Sequence, residues 1–251
     1  MDSFNRYKSS AELKAIAKEH MFGRYGTAIG ALLAVFSITM FVSFFSTVFI
    51  DTTKPVGLIF NLVISFAISL LAGIFTSGEK YFYLKITCGH PVTVSDVFYG
   101  FHFFPDKALL IQLFLSICIY LSMMPMTILS YMVAKNPKDA VLTLIYSLSI
   151  ILYGIVTVIL TLFYSQAFYL LHDFPNYSAK ELLTMSRRLM IGSKGRLFYL
   201  MVSFLPLFLL GMLSCGIAYL WLVPYVNATM TEFFLDLVKN QRPMEVNPYV
   251  K

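Results

Sequence analysis

Four stretches of this chain, Thr27–Ile50, Val56–Ser77, Ala108–Val133 and Val141–Leu171, are apolar on every side, and a fifth runs from Leu197 to Val238. A hydrocarbon layer about 30 Å thick is crossed by about 20 helical residues, so each is long enough to span it. Barrel strands would alternate apolar and polar residues, and these runs do not. The sequence therefore predicts an all-α, polytopic transmembrane helix bundle. A hydrophobic share of 58% against 13% charged residues fits that class and no ordinary soluble domain.

The last run is about twice the length of one crossing, and Gly211 and Gly216 offer it a turn. Charge decides between one crossing and two. With six spans and the N-terminus inside, 16 of the 19 Lys and Arg fall on the cytoplasmic side, leaving only Lys54, Lys135 and Lys138 outside. With five spans the split weakens to 13 against 6, so the positive-inside rule predicts six, with both termini cytoplasmic. The sixth span is polar and is expected to pack inside the bundle.

The first 25 residues mix acids with bases, and the first apolar run is too long for a signal core, so no removable leader is expected. Cys88, Cys118 and Cys215 are far apart, and His20, His90, His102 and His172 lack ligand spacing. No metal and no cofactor are expected. Phosphate-loop and nucleophile-elbow motifs are missing, which argues against an enzyme. The net charge of +6 is read as membrane topology and not as a nucleic-acid footprint.

An internal repeat organises the single domain, 1–251. "SSAE" at 9–12, "TVSD" at 93–96 and "SAKE" at 178–181 each resemble a helix capping box ahead of a hydrophobic hairpin. Glu12, Leu13, Met21, Gly23 and Gly26 match Glu181, Leu182, Met190, Gly192 and Gly195 at a constant offset of 169, while the middle copy lacks those glycines. Three units follow, about 9–77, 93–171 and 178–238, each a cytoplasmic amphipathic helix leading into a transmembrane hairpin.

Three sets of residues are candidates for function or assembly. Arg187, Arg188, Lys194 and Arg196 crowd the start of the fifth span, either as a diffuse collar for anionic lipid or as a headgroup pocket. Asn227, Thr231 and Glu232 are polar within the sixth span, as transport residues or as hydrogen-bond glue. Gly26, Gly30 and Ala34, with Ser65, Ser69 and Gly73, form two small-residue stripes expected to close the first hairpin.

The C-terminal third carries Ser186, Met190, Gly192, Lys194, Leu197 and Phe198, then Ser203-Phe204, Gly216-Ile217, Leu220-Trp221-Leu222, Pro224-Tyr225, Thr229 and Phe233-Phe234. In these residues it resembles the bacterial membrane family called domain of unknown function 975. It departs from that pattern at Tyr153-Gly154 and at Leu205-Pro206-Leu207. A more distant resemblance is to the membrane domain of some glycerophosphodiester phosphodiesterases. These likenesses imply a plasma-membrane protein of bacteria and supply no activity. The expected function is a non-enzymatic lipid-binding or accessory subunit, with anionic membrane lipids and a membrane-protein partner or second copy as its contacts; the alternative is a transporter of small solutes or lipid.

Overall fold

The computed structural model describes residues 7–49 and 55–241, and every regular element among them is helical. Arg6, Lys54, Arg242 and Lys251, which enter the charge count, lie outside the described residues.

Helix α1 (Ser10–Met21) begins where the sequence places its cap. The Glu12 N–H donates to the Ser9 hydroxyl at 3.3 Å, and the Glu12 carboxylate takes the Ser9 N–H at 2.6 Å. Two otherwise unpaired donors are thereby satisfied. Leu13, Ala17 and Met21 form its buried face. Gly23, at φ +75°, then turns the chain into α2 (Tyr25–Phe49). That left-handed conformation would cost an L side chain about 1–2 kcal/mol, which is why a glycine stands there.

Helix α7 (Ala179–Leu189) follows the same course 169 residues later. Ser178 and Glu181 repeat the capping exchange at 3.4 and 2.8 Å, and Leu182, Ser186 and Met190 are buried where Leu13, Ala17 and Met21 are. Gly192 has φ +77°. The turn bonds Phe22→Glu19, Arg24→Met21 and Ala28→Arg24 recur as Ile191→Arg188, Ser193→Met190 and Leu197→Ser193.

The middle copy is shorter. Asp96 takes the Thr93 N–H at 2.7 Å, and Val97 is buried 84 residues after Leu13. By Ala108, whose N–H returns to Phe104 as that of Ala28 returns to Arg24, the offset has dropped from 84 to 80. With four residues fewer, the segment Val94–Phe101 is a 3-10 helix, which rises about 2.0 Å per residue against 1.5 Å for an α-helix. Phe104, at φ +48°, makes the turn into α4 (Pro105–Lys135) without a glycine.

The remaining elements are α3 (Pro55–Thr87), α4 (Pro105–Lys135), α5 (Ala140–Tyr164), α6 (Ala167–Asp173), α8 (Lys194–Val202), α9 (Leu205–Leu213) and α10 (Tyr219–Gln241). Five stretches are long and apolar enough to cross a membrane: Tyr25–Phe44, Ile59–Thr87, Pro105–Lys135, Ala140–Asp173 and Lys194–Leu213. The protein is thus a multi-pass membrane protein. Helix α10 is long but too polar to join that set.

Several boundaries differ from the sequence expectation. The run Val141–Leu171 breaks at Ser165–Gln166, giving α5 and α6. Helix α3 continues past Ser77 to Thr87, so Lys80 and Lys85 stand on a helix and not in a loop. In the last run the turn centres on Cys215 and Gly216, both at positive φ, whereas Gly211 lies inside α9 beneath the Tyr219 ring.

The core sits at one end, where α1, the 3-10 segment, α6 and α7 gather around the inner halves of α3, α4, α8 and α10. At the other end apolar side chains such as Phe41, Ile59, Leu121 and Leu144 are exposed, as residues facing lipid would be. The small-residue stripes do not close the first hairpin. Ser69 bonds Ser116 of α4 at 3.1 Å, and a Cβ on Gly73 would meet Gln112 of α4 at 2.4 Å. Gly30 faces Val94 of the 3-10 segment, and Gly26 faces open space. Each stripe is spent on a different neighbour, because the 3-10 segment lies against α2 and α3 together.

Candidate functional site

Helix α7 is held on the bundle by its buried face and by the Ser186 hydroxyl, which donates to the Phe163 carbonyl at 3.0 Å at the end of α5. Its opposite face is cationic. Lys180, Thr184 and Arg187 border a groove of about 510 Å³ between α7 and the pair α4–α5, walled by Leu110, Phe114 and Tyr164. Phe114 and Tyr164 meet edge to face at 5.2 Å, which stiffens that wall. The apolar floor and the charged rim form one continuous amphipathic surface. At the start of α7 the Ser178 N–H and hydroxyl hold the Glu181 carboxyl below its ordinary range, leaving that acid committed to the cap.

The four basic residues singled out in the sequence divide three ways. Arg187 and Lys194 converge on the Phe163 ring, at 5.8 and 3.6 Å from its centroid. Arg188 is exposed about 100° round the helix from Arg187 and does not border the groove. Arg196 turns inward. Its Nη2 donates to Asp236 at 2.6 Å and to the Lys8 carbonyl at 2.8 Å, and its guanidinium lies 4.2 Å over the Tyr7 ring. Arg196 is therefore a structural ion-pair partner of Asp236.

The polar residues of α10 are each engaged by a different element. Asn227 accepts from Lys80 Nζ of α3 at 3.1 Å, and Thr231 pairs with the Tyr169 hydroxyl of α6 at 3.0 Å. Glu232, 4% exposed, meets His20 Nδ1 of α1 at 2.7 Å. Asp236, equally buried, takes Arg196 of α8 and the Lys8 N–H. These side chains act as cross-links between helices, the gluing role that the sequence allowed them. The sequence reading named Glu232 as the ionisable group of this span and missed Asp236, four residues on and so on the same face.

Sequence reasoning also missed Glu79, which lines an apolar groove between α2 and α3 with Ile38, Val42, Leu71 and Phe75. Its signal was hidden because α3 was expected to end at Ser77. The histidines stay apart: His20 serves Glu232, and His172 meets the Ser77 carbonyl at 2.8 Å between aromatic rings. Cys88, Cys118 and Cys215 are free thiols.

The pattern read in the C-terminal third extends over nearly all the helices just described. A family model matches residues 1–241. The chain belongs to the family described as protein of unknown function DUF975. For DUF975 that match spans the capped α1, the 3-10 segment and α7, the three related entries into the bundle. No curated protein and no solved structure matches the chain, and the likeness to the membrane domain of glycerophosphodiester phosphodiesterases finds no support.

Proposed function

We propose that this protein is a non-enzymatic, lipid-binding integral protein of the bacterial plasma membrane, with six crossings in three hairpins and both termini cytoplasmic. Its site is the α7 groove, which takes an anionic phospholipid. The observation that carries this reading is the joining of two chemistries in one cleft: Lys180, Thr184 and Arg187 on the rim, Leu110 and Phe114 on the wall. A phosphate sits among the cations and the hydroxyl while an acyl chain lies along the wall. Each basic residue beside anionic lipid contributes about 1 kcal/mol from charge alone, and a guanidinium adds two directed hydrogen bonds. Gly192 has a separate role, since its positive φ serves the turn into α8.

The test uses native mass spectrometry of the detergent-purified protein with phosphatidylglycerol or phosphatidylcholine added. Arg187→Lys keeps the charge and loses the fork, so preference for phosphatidylglycerol should fall, whereas Arg188→Lys should leave it unchanged. Equal silence of both variants would reduce the stretch to a diffuse collar.

A further inference from the structure

We infer that the chain holds a second anionic-phospholipid site, related to the first by the internal correspondence: the cleft of about 400 Å³ where Lys18 of α1 meets α9 and α10. The inference rests on the reading of the α7 groove as a lipid site, because it transfers that chemistry to an equivalent position.

The equivalence is geometric before it is chemical. Lys18 stands 169 residues before Arg187, within the two helices that share cap, buried face and turn bonds at that same offset. Four residues further on, just past the end of each helix, the pattern continues: Phe22 is 87% exposed and Ile191 67% exposed, the same position of the same turn. Both surface helices thus end on a cation followed by an exposed apolar side chain in the turn, an arrangement that suits a charge at phosphate level with a hydrophobe at the edge of the acyl region. Each helix also leans on the hairpin of the unit before it. α7 packs on α4 and α5, and α1 packs on α10, closing the ring.

The Lys18 cleft has the lining such a ligand needs. Tyr25, Trp221 and Tyr225 border it with Lys18, and Leu207 and Leu210, one turn apart, floor it. Amphipathic aromatic rings favour the headgroup level of a bilayer, and leucines favour chains. Lys18 is exposed, and no carboxylate among the described residues pairs with it. The lysine is thus available to a phosphate, as Arg187 is.

The third surface segment does not offer a third site. Gly78 and Gly100 bring the 3-10 helix into backbone contact with α3, and Phe75 packs edge to face on Phe98 and Phe101 at 5.9 and 5.0 Å. The cleft is closed there. The nearby groove between α2 and α3 is lined by Glu79 and by no basic residue, so it offers a phosphate no cation. The internal correspondence therefore gives two sites per chain, and the middle copy supplies none.

Native mass spectrometry with a short titration of phosphatidylglycerol counts retained lipids. The wild type should hold two, Lys18→Ala one, Arg187→Ala one and the double variant none. Leu210→Trp fills the cleft while keeping the charge, and should also hold one, which separates a shaped site from general attraction. Retention by both Lys18→Ala and Leu210→Trp of as many lipids as the wild type overturns the inference. Loss in Arg187→Ala with none in Lys18→Ala removes the second site alone; the reverse removes the α7 site and leaves this one standing.

Discussion

Gly78 and Gly100 let the backbones of α3 and the 3-10 segment touch, and a single methyl group tests that crossing. A Cβ on Gly78 would lie 1.8 Å from the Val97 carbonyl oxygen and 2.7 Å from its carbon; one on Gly100 would lie 2.2 Å from the Ile74 oxygen. Carbon and carbonyl oxygen in contact prefer about 3.3 Å or more, so Gly78→Ala forces the 3-10 segment off α3 by about 1.5 Å. No side chain can swing aside, because the obstructing atoms are backbone. The displacement would loosen the Tyr81–Tyr99 stack, now 3.9 Å between centroids, and the Phe75 contacts. Overpacking ordinarily costs about 1–3 kcal/mol, and a backbone clash belongs at the upper end. About 3 kcal/mol corresponds to a Tm fall of about 6–12 °C for a chain of this size. Gly154, in α5, supplies the control. An added methyl group there would meet nothing within 4 Å, so alanine should raise stability by about 1 kcal/mol through helix propensity. Thermal unfolding in detergent micelles, followed by circular dichroism at the helical band, reads both signs. A Gly78→Ala protein as stable as wild type would refute the crossing.

Topology and the ion pair give two further expectations. Single cysteines placed at Lys138 and Ser214 in a cysteine-free background should react with a membrane-impermeant maleimide added outside, while those at Ser9 and Asn247 stay protected; external labelling at Asn247 removes the six-crossing arrangement. Asp236→Ala and Arg196→Ala should each lower unfolding stability by about 3 kcal/mol, because breaking a buried pair strands the remaining charge. A double-mutant cycle should return a coupling well above about 0.5 kcal/mol, and a coupling near zero would show the pair to be incidental.

The helical class and the three capped entries were legible because they depend on local chemistry. A serine followed three residues later by glutamate satisfies its own helix end, and an apolar run needs no partner to be recognised. The ion pair of Arg196 was not legible because its neighbours in sequence are basic while its neighbour in space, Asp236, is 40 residues away. The Ser65, Ser69 and Gly73 stripe was legible as a stripe, but its partner was not, since small residues admit any close backbone and α4 took the place expected of α2. The 3-10 segment was seen as a capping pattern, yet its tighter winding follows from four missing residues that only superposition of the turn bonds exposes. Asp96 shows the same limit: burial opposes its ionisation, but the Thr93 N–H and then Lys85 hold its carboxyl below the usual range, and Lys85 became a helix residue only with the longer α3.

The junction of α1 with α10 bears on how the protein is made. Lys8 and Asp236 are 228 residues apart, and His20 and Glu232 are 212 apart, so α1 leaves the ribosome well before the α10 residues on which it docks. At about 5–20 residues per second that interval lasts roughly 10–45 seconds. During it Leu13, Ala17 and Met21 lack their final cover, and the natural resting place for so amphipathic a segment is the bilayer surface. A capture step follows, in which the Glu232 and Asp236 side chains of α10 pair with His20 and Arg196 as α1 lifts from the lipid. A ribosome stalled before Asp236 would leave α1 parked on the membrane and the newborn chain open to proteolysis.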